Sequence, residues 1–152
     1  QVDAVYLDFE KAFDRVDNDL LLMKFASFGF TPKLLKLFSS YLSDRSQHVE
    51  LAGFKSKTYF TRSGVSQGST LGPTQFLIMI NDLSSILSER TKCLMFADDL
   101  KLYVGVGCDA EHHAWQRDIN RVAEWGERNR LHFNTNKCKV VAYSRSRSPV
   151  LF

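Results

Sequence analysis

Apolar residues run together near the start of this chain and recur at helical spacing through its middle, so strands and helices separate before any chemistry is considered. AVYLDF predicts a first strand carrying Asp8 at its end. Asn18 is placed to cap a helix whose Leu21, Phe25 and Phe28 share a face and which Gly29 stops. Thr31 and Pro32 restart a helix with Leu34, Phe38, Tyr41 and Leu42 on one side. The stretch from Gln47 to Arg62 alternates weakly and predicts a hairpin leading into the loop SGVSQGS. Pro73 then opens a buried helix with Phe76, Ile80, Leu83 and Leu87 on one face. CLMF and LKLYVGV predict two short strands meeting at Asp98 and Asp99, followed by an amphipathic helix from about Asp109 to Arg130 with Trp115, Ile119 and Val122 inward. A final strand pair is expected around NTNK. Strands and helices do not alternate regularly enough for a doubly wound sheet, so the expected class is α+β, a small antiparallel sheet backed by helices.

At 152 residues and 44% hydrophobic content the chain suits one compact domain with a real core. It opens on Gln1 without an initiator Met, which suggests a piece of a longer polypeptide. No apolar run nears the roughly 20 residues of a membrane span, and no leader precedes the first strand, so a soluble, intracellular protein with no membrane partner is expected. The net charge of +3 tolerates a polyanionic partner without demanding one. Basic residues gather at the end, from Lys137 and Lys139 to Arg145 and Arg147. Cys93, Cys108 and Cys138 are odd in number and lack paired spacing, which argues against a disulfide framework and for a reducing compartment. Cys108, His112 and His113 offer only half of a zinc set, so none is expected there.

Asp98 and Asp99 lie inside an apolar hairpin, where ionised groups are costly unless paired or bound to metal. With Asp8 they make three carboxylates seeking a cation, and hard oxygen donors suit magnesium. Two such ions can activate an attacking oxygen and stabilise a leaving one, the chemistry of phosphoryl or nucleotidyl transfer. The reading requires Asp8 to fold back beside the hairpin. Adjacent strand residues point to opposite faces, so Asp98 is expected to bind more directly than Asp99. Gly64 and Gly68 bracket Gln67 in a loop whose backbone can approach a ligand while the amide donates and accepts. Asp14 and Arg15 suggest a structural ion pair.

Taken in series, LDFEKAFDRV, GVSQGSTLGP, FADDLKLY and LHFNTNKCKVVAYS resemble the palm of reverse transcriptases of non-LTR retrotransposons, the insect jockey-like group in particular, over nearly the whole chain. The resemblance implies a polymerase palm with a short helical and hairpin part of the fingers over 1–152, with N-terminal finger segments and a thumb on missing parts of the parent polypeptide. It implies an RNA-directed DNA polymerase acting on RNA template, DNA primer and dNTP. Two Mg2+ ions, with Mn2+ as a substitute, would be held by Asp8, Asp98 and Asp99, with Phe9 in the same metal set. Phe9, Glu10, Lys11 and Ala12 match the turn that cradles the triphosphate, and Phe13 matches an aromatic gate against a 2′-hydroxyl. Gln67 and Gly68 match a nucleotide and template contact, and Lys137 matches a lysine near the departing pyrophosphate. Ser66 departs from the usual proline, and Asp17 and Asn18 from an aromatic and a histidine. A nuclear site of action follows only by analogy with target-primed insertion. Two other readings stay open: a decayed or domesticated palm that binds nucleic acid without chemistry, and another two-metal palm such as a ribonucleotide polymerase.

Overall fold

The computed structural model describes residues 1–145. Arg147, the last of the basic residues singled out above, lies outside them. Along the chain run β1 (Val2–Asp8), α1 (Asn18–Ser27), α2 (Pro32–Leu42) and the short strands β2 (Ser46–Gln47), β3 (Glu50–Leu51), β4 (Phe54–Lys55) and β5 (Tyr59–Phe60). Then come α3 (Leu71–Ile80), a 3-10 turn (Leu83–Ile86), β6 (Lys92–Phe96), β7 (Asp99–Gly105), α4 (Asp109–Arg128) and β8 (Lys139–Tyr143). The described residues fall into two compact units, one of residues 1–12 and 80–145, the other of residues 13–79.

The first unit is built on a four-stranded antiparallel sheet in the order β6-β7-β1-β8. Alternate residues of β7, Leu100, Leu102 and Val104, are buried together with Val5. On α4, Trp115, Val122 and Trp125 are buried at helical spacing, and a small cleft lined by both Val104 and Trp115 shows this helix against that face of the sheet. Ile119 is only half-buried; the side chain buried beside it is Asp118. The helix stops at Arg128 rather than Arg130, because Asn129 turns its amide back onto the Trp125 carbonyl. Leu131 then donates to the Gly126 carbonyl at 2.9 Å, and a Cβ on Gly126 would meet the Leu131 carbonyl oxygen at 2.8 Å, so the return needs glycine. The expected strand pair around NTNK is one strand, β8, preceded by a single bridge between Phe9 and Phe133 and a turn in which Asn134 O accepts from Lys137 and Cys138.

The second unit holds the helical pair and a nested hairpin, β2 with β5 and β3 with β4. Asp17, not Asn18, caps α1, accepting from the amides of Asp19 and Leu20 at 3.1 and 3.0 Å. Asn18 begins the helix and donates to the Leu42 carbonyl. A carboxylate one residue earlier reaches two open amides, and the following amide side chain is thereby free to tie α1 to α2. Leu21 and Phe25 are buried as expected, while Phe28 is the exposed C-cap. On α2, Leu42 is buried but Leu34 and Tyr41 are exposed. Helix α3 starts at Leu71 with Pro73 inside its first turn, and Leu83 falls in the separate 3-10 turn, so the predicted continuous helix is broken after Ile80.

Candidate functional site

The sheet register determines which carboxylates meet. In the β1–β7 ladder Asp8 lies directly opposite Asp99, and directly opposed residues of an antiparallel pair project from the same face. Phe96 faces Asp99 across the other ladder, which leaves Ala97 and Asp98 as the two-residue turn. Ala97 takes a φ of 51°, a left-handed conformation that lets the chain reverse within two residues. Asp99 is therefore the strand residue aligned with Asp8, whereas Asp98 sits in the turn next to it. The hairpin closes with Asp98 in its turn and Asp99 at the start of β7, so the two carboxylates of the acidic pair fall on different parts of it. Among the described residues, no group of three or more His, Cys, Asp or Glu is drawn together as a ready metal cage.

Asp8 carries a second signature. Its Oδ2 is enclosed and accepts no hydrogen bond, yet the Lys137 ammonium stands 3.1 Å from it. The two observations agree as an ion pair out of hydrogen-bond alignment. A hard anionic oxygen with a cation beside it and no directed donor is a position suited to a metal ion. Lys137 reaches it because Asn134 donates its amide to the Asp8 carbonyl at 2.8 Å, which holds the turn before β8 against the end of β1.

The turn after Asp8 is built from the inside. The Phe9 ring is buried, stacked on Phe133 at 4.7 Å and tilted against Trp125 at 6.3 Å. Its side chain is core, so any part Phe9 takes in metal or nucleotide binding falls to its backbone. Ala12 is buried as well. The Glu10 amide is committed to the His132 carbonyl at 2.8 Å, and Lys11 turns the chain at φ 50°.

In the second unit, Phe13 is half-buried and stacks on Phe76 with ring centroids 4.8 Å apart. Gln67 and Gly68 are exposed, Gly68 with a φ of +78°. The Asp14 carboxylate, for which Arg15 was the expected partner, accepts a hydrogen bond from Gln67 Nε2 at 2.8 Å. Gly64 has a φ of +92°, and a Cβ there would lie 2.9 Å from the Asp14 carbonyl oxygen, so only glycine lets the loop come so close.

One set of residues escaped the sequence reading. Tyr6 and Lys101 are opposed in the register two residues from Asp8 and Asp99, which places them on the same face of the sheet. The Lys101 ammonium lies 4.9 Å from the Tyr6 ring and 5.8 Å from that of Tyr103, and the Tyr6 and Tyr143 hydroxyls are 3.3 Å apart. Hydrogen bonding to Lys101, and then to Tyr143, lowers the Tyr6 hydroxyl from its ordinary pKa, and the same Tyr6 contact raises that of Lys101. Period-two alternation back from Asp8 and forward from Asp99 was the signal that would have found them.

The chain matches the family described as reverse transcriptase (RNA-dependent DNA polymerase) over residues 4–149. It is 30% identical over 148 residues to an RNA-directed DNA polymerase from mobile element jockey of Drosophila melanogaster, covering 93% of this chain and 16% of that protein. A probable RNA-directed DNA polymerase from transposon BS of the same species is 32% identical, covering 88% of this chain and 16% of that protein. The chain thus spans about a sixth of the length of these curated relatives. Among solved structures, apo telomerase from Candida tropicalis truncated from its C-terminal domain superimposes with a TM-score of 0.68 at 16% identity, over 97% of this chain and 32% of that one. Telomerase from the same organism in complex with a TWJ fragment of telomeric RNA gives 0.66 at 14% identity, over 99% and 27%. At such identities these two show the fold.

Proposed function

This chain belongs to the reverse transcriptase (RNA-dependent DNA polymerase) family, and from that premise we propose that it is the palm, with part of the fingers, of a non-LTR retrotransposon polymerase that extends a DNA primer on an RNA template with dNTPs. Further finger segments and a thumb belong to the rest of the parent polypeptide, which acts at chromosomal target DNA in the nucleus. The observation that carries this reading is the register that sets Asp8 opposite Asp99 beside the Asp98 turn.

Reverse transcriptases generally use divalent metal ions, and the donor chemistry here suits them: Asp8 and Asp99 are opposed in the register, Asp98 lies in the adjoining turn, and an enclosed Asp8 oxygen already faces a cation. Asp8, Asp98, Asp99 and the Phe9 carbonyl would hold two ions, Mg2+ or Mn2+. The chemistry those ions supply when bound is activation of the primer 3′-hydroxyl and stabilisation of charge on the leaving pyrophosphate. Lys137 balances Asp8 at rest and supplies a proton or positive charge to the departing pyrophosphate. The backbone of the Phe9–Ala12 turn cradles the triphosphate. Phe13, its ring backed by Phe76, excludes a 2′-hydroxyl, while Gln67 and Gly68 contact nucleotide and template.

The test is primer extension on an RNA template by the complete polypeptide. Asp98→Asn is expected to lower the rate by at least about a thousandfold, and full activity in that variant would overturn the role given to the carboxylate. Phe13→Ala is expected to admit ribonucleotides; unchanged sugar discrimination would remove the gate.

A further inference from the structure

The loop bearing Gln67 is fastened to the start of the second unit by a short ladder of hydrogen bonds. The Gly64 amide donates to the Val16 carbonyl at 2.7 Å and the Val65 amide to that of Phe13 at 2.8 Å. The Ser63 hydroxyl donates to the Asp14 carbonyl at 2.9 Å. All three end on backbone oxygens, so they survive any side chain at position 14. The fourth contact, Gln67 Nε2 to Asp14 Oδ1 at 2.8 Å, does not.

That fourth contact has a polarity. An ionised carboxylate only accepts hydrogen bonds, so of the two ends of the Gln67 amide only the NH2 group can face Asp14. The amide is planar, and its carbonyl oxygen is consequently turned away from Asp14. Both residues are exposed, which leaves that oxygen reachable by a ligand in the loop. A glutamine without this partner would rotate between two orientations of similar energy and present donor or acceptor indifferently.

Resting on the function proposed above, we infer that Asp14 is a positioning residue for nucleotide binding: it locks the Gln67 amide so that Oε1 is offered to a hydroxyl or N–H donor of the incoming nucleotide. The ladder beside it keeps the loop docked whether or not the lock is present. Loss of the lock therefore weakens substrate binding rather than the fold or the chemical step.

Steady-state primer extension by the complete polypeptide, with dNTP varied, separates these effects. Asp14→Ala is expected to raise KM for dNTP about fivefold with kcat within about twofold of the unsubstituted enzyme and no fall in thermal midpoint. Asp14→Asn carries a donor as well as an acceptor, so it pairs with either end of the Gln67 amide and is expected to raise KM as Asp14→Ala does. In a Gln67→Ala background, Asp14→Ala should add nothing, because the amide it orients is gone. Independent, multiplying penalties in that double variant, an Asp14→Asn variant that keeps the unsubstituted KM, or an Asp14→Ala defect confined to kcat would each overturn the inference while leaving the polymerase reading intact. An unsubstituted polypeptide that extends no primer would overturn both.

Discussion

Central strand β7 of the four-stranded sheet and the nested hairpin of residues 46–60 both pair antiparallel, and they treat their apolar residues in opposite ways. In the sheet, Leu102 is fully buried and Leu100 is 3% exposed. In the hairpin, Leu51 and Phe54 are 77% and 82% exposed at the tip, and Phe60 is 75% exposed. Sequence composition does not separate the two, since each contributes strand-forming aliphatic and aromatic residues. What separates them is a helix: α4 covers one face of the sheet, whereas each ladder of the hairpin is two residue pairs long. A ribbon of that size has little stability of its own. The sheet is accordingly a platform that holds Asp8 and Asp99 in register, and the hairpin is a ribbon with little to bury.

The comparison can be broken or sharpened by substitution, followed by denaturation of the whole chain. Leu102→Ala, which opens a cavity under the platform, is expected to cost about 3 kcal/mol. Asp118→Ala should follow at about 2 kcal/mol, because the buried carboxylate accepts from the Ser88 and Thr91 hydroxyls, each at 2.5 Å, and from Arg121 at 2.8 Å. Burial opposes ionisation of Asp118, and these donors, with the Ser88 amide, outweigh it and hold its pKa below the ordinary aspartate value. A depressed carboxylate stabilises the fold fully above the unfolded pKa of about 4 and loses that contribution as pH falls through the lower folded value. Stability should therefore decline below about pH 4, and Asp118→Asn should flatten that decline in a pH series of urea melts.

The hairpin should respond weakly. Ala52 and Gly53 both have positive φ, 49° and 81°, the left-handed pair a two-residue turn requires, and alanine pays a steric penalty there. Ala52→Gly is expected to protect the hairpin amides by up to about 1 kcal/mol in hydrogen exchange. Phe54→Ser should change global stability by under about 0.5 kcal/mol. A Phe54→Ser cost equal to that of Leu102→Ala would show the hairpin covered in solution and would end the contrast.

Much of the site was legible because the chemistry sits in short runs with fixed spacing. The apolar run before Asp8 and the apolar flanks of Asp98 and Asp99 foretold strands meeting carboxylates, and the stretch around NTNK put Lys137 next to a strand. The Asp17 cap, the break after Ile80 and the single β8 were misread because neighbouring residues with similar propensities compete. The choice goes to whichever side chain reaches an open amide or a cross-strand partner, a question of position that propensity cannot answer.

The sequence alone determined which groups are present and where along the strands they fall: acidic residues at strand ends, glycines around Gln67, and apolar residues at periods two and 3.6. Only the tertiary structure decided that Asp99 and not Asp98 stands opposite Asp8, that the Phe9 ring belongs to the core, and that Asp14 holds Gln67. The physical reason is that pairing across strands and between loops depends on register, and one residue of slip exchanges the faces of a strand without changing its composition.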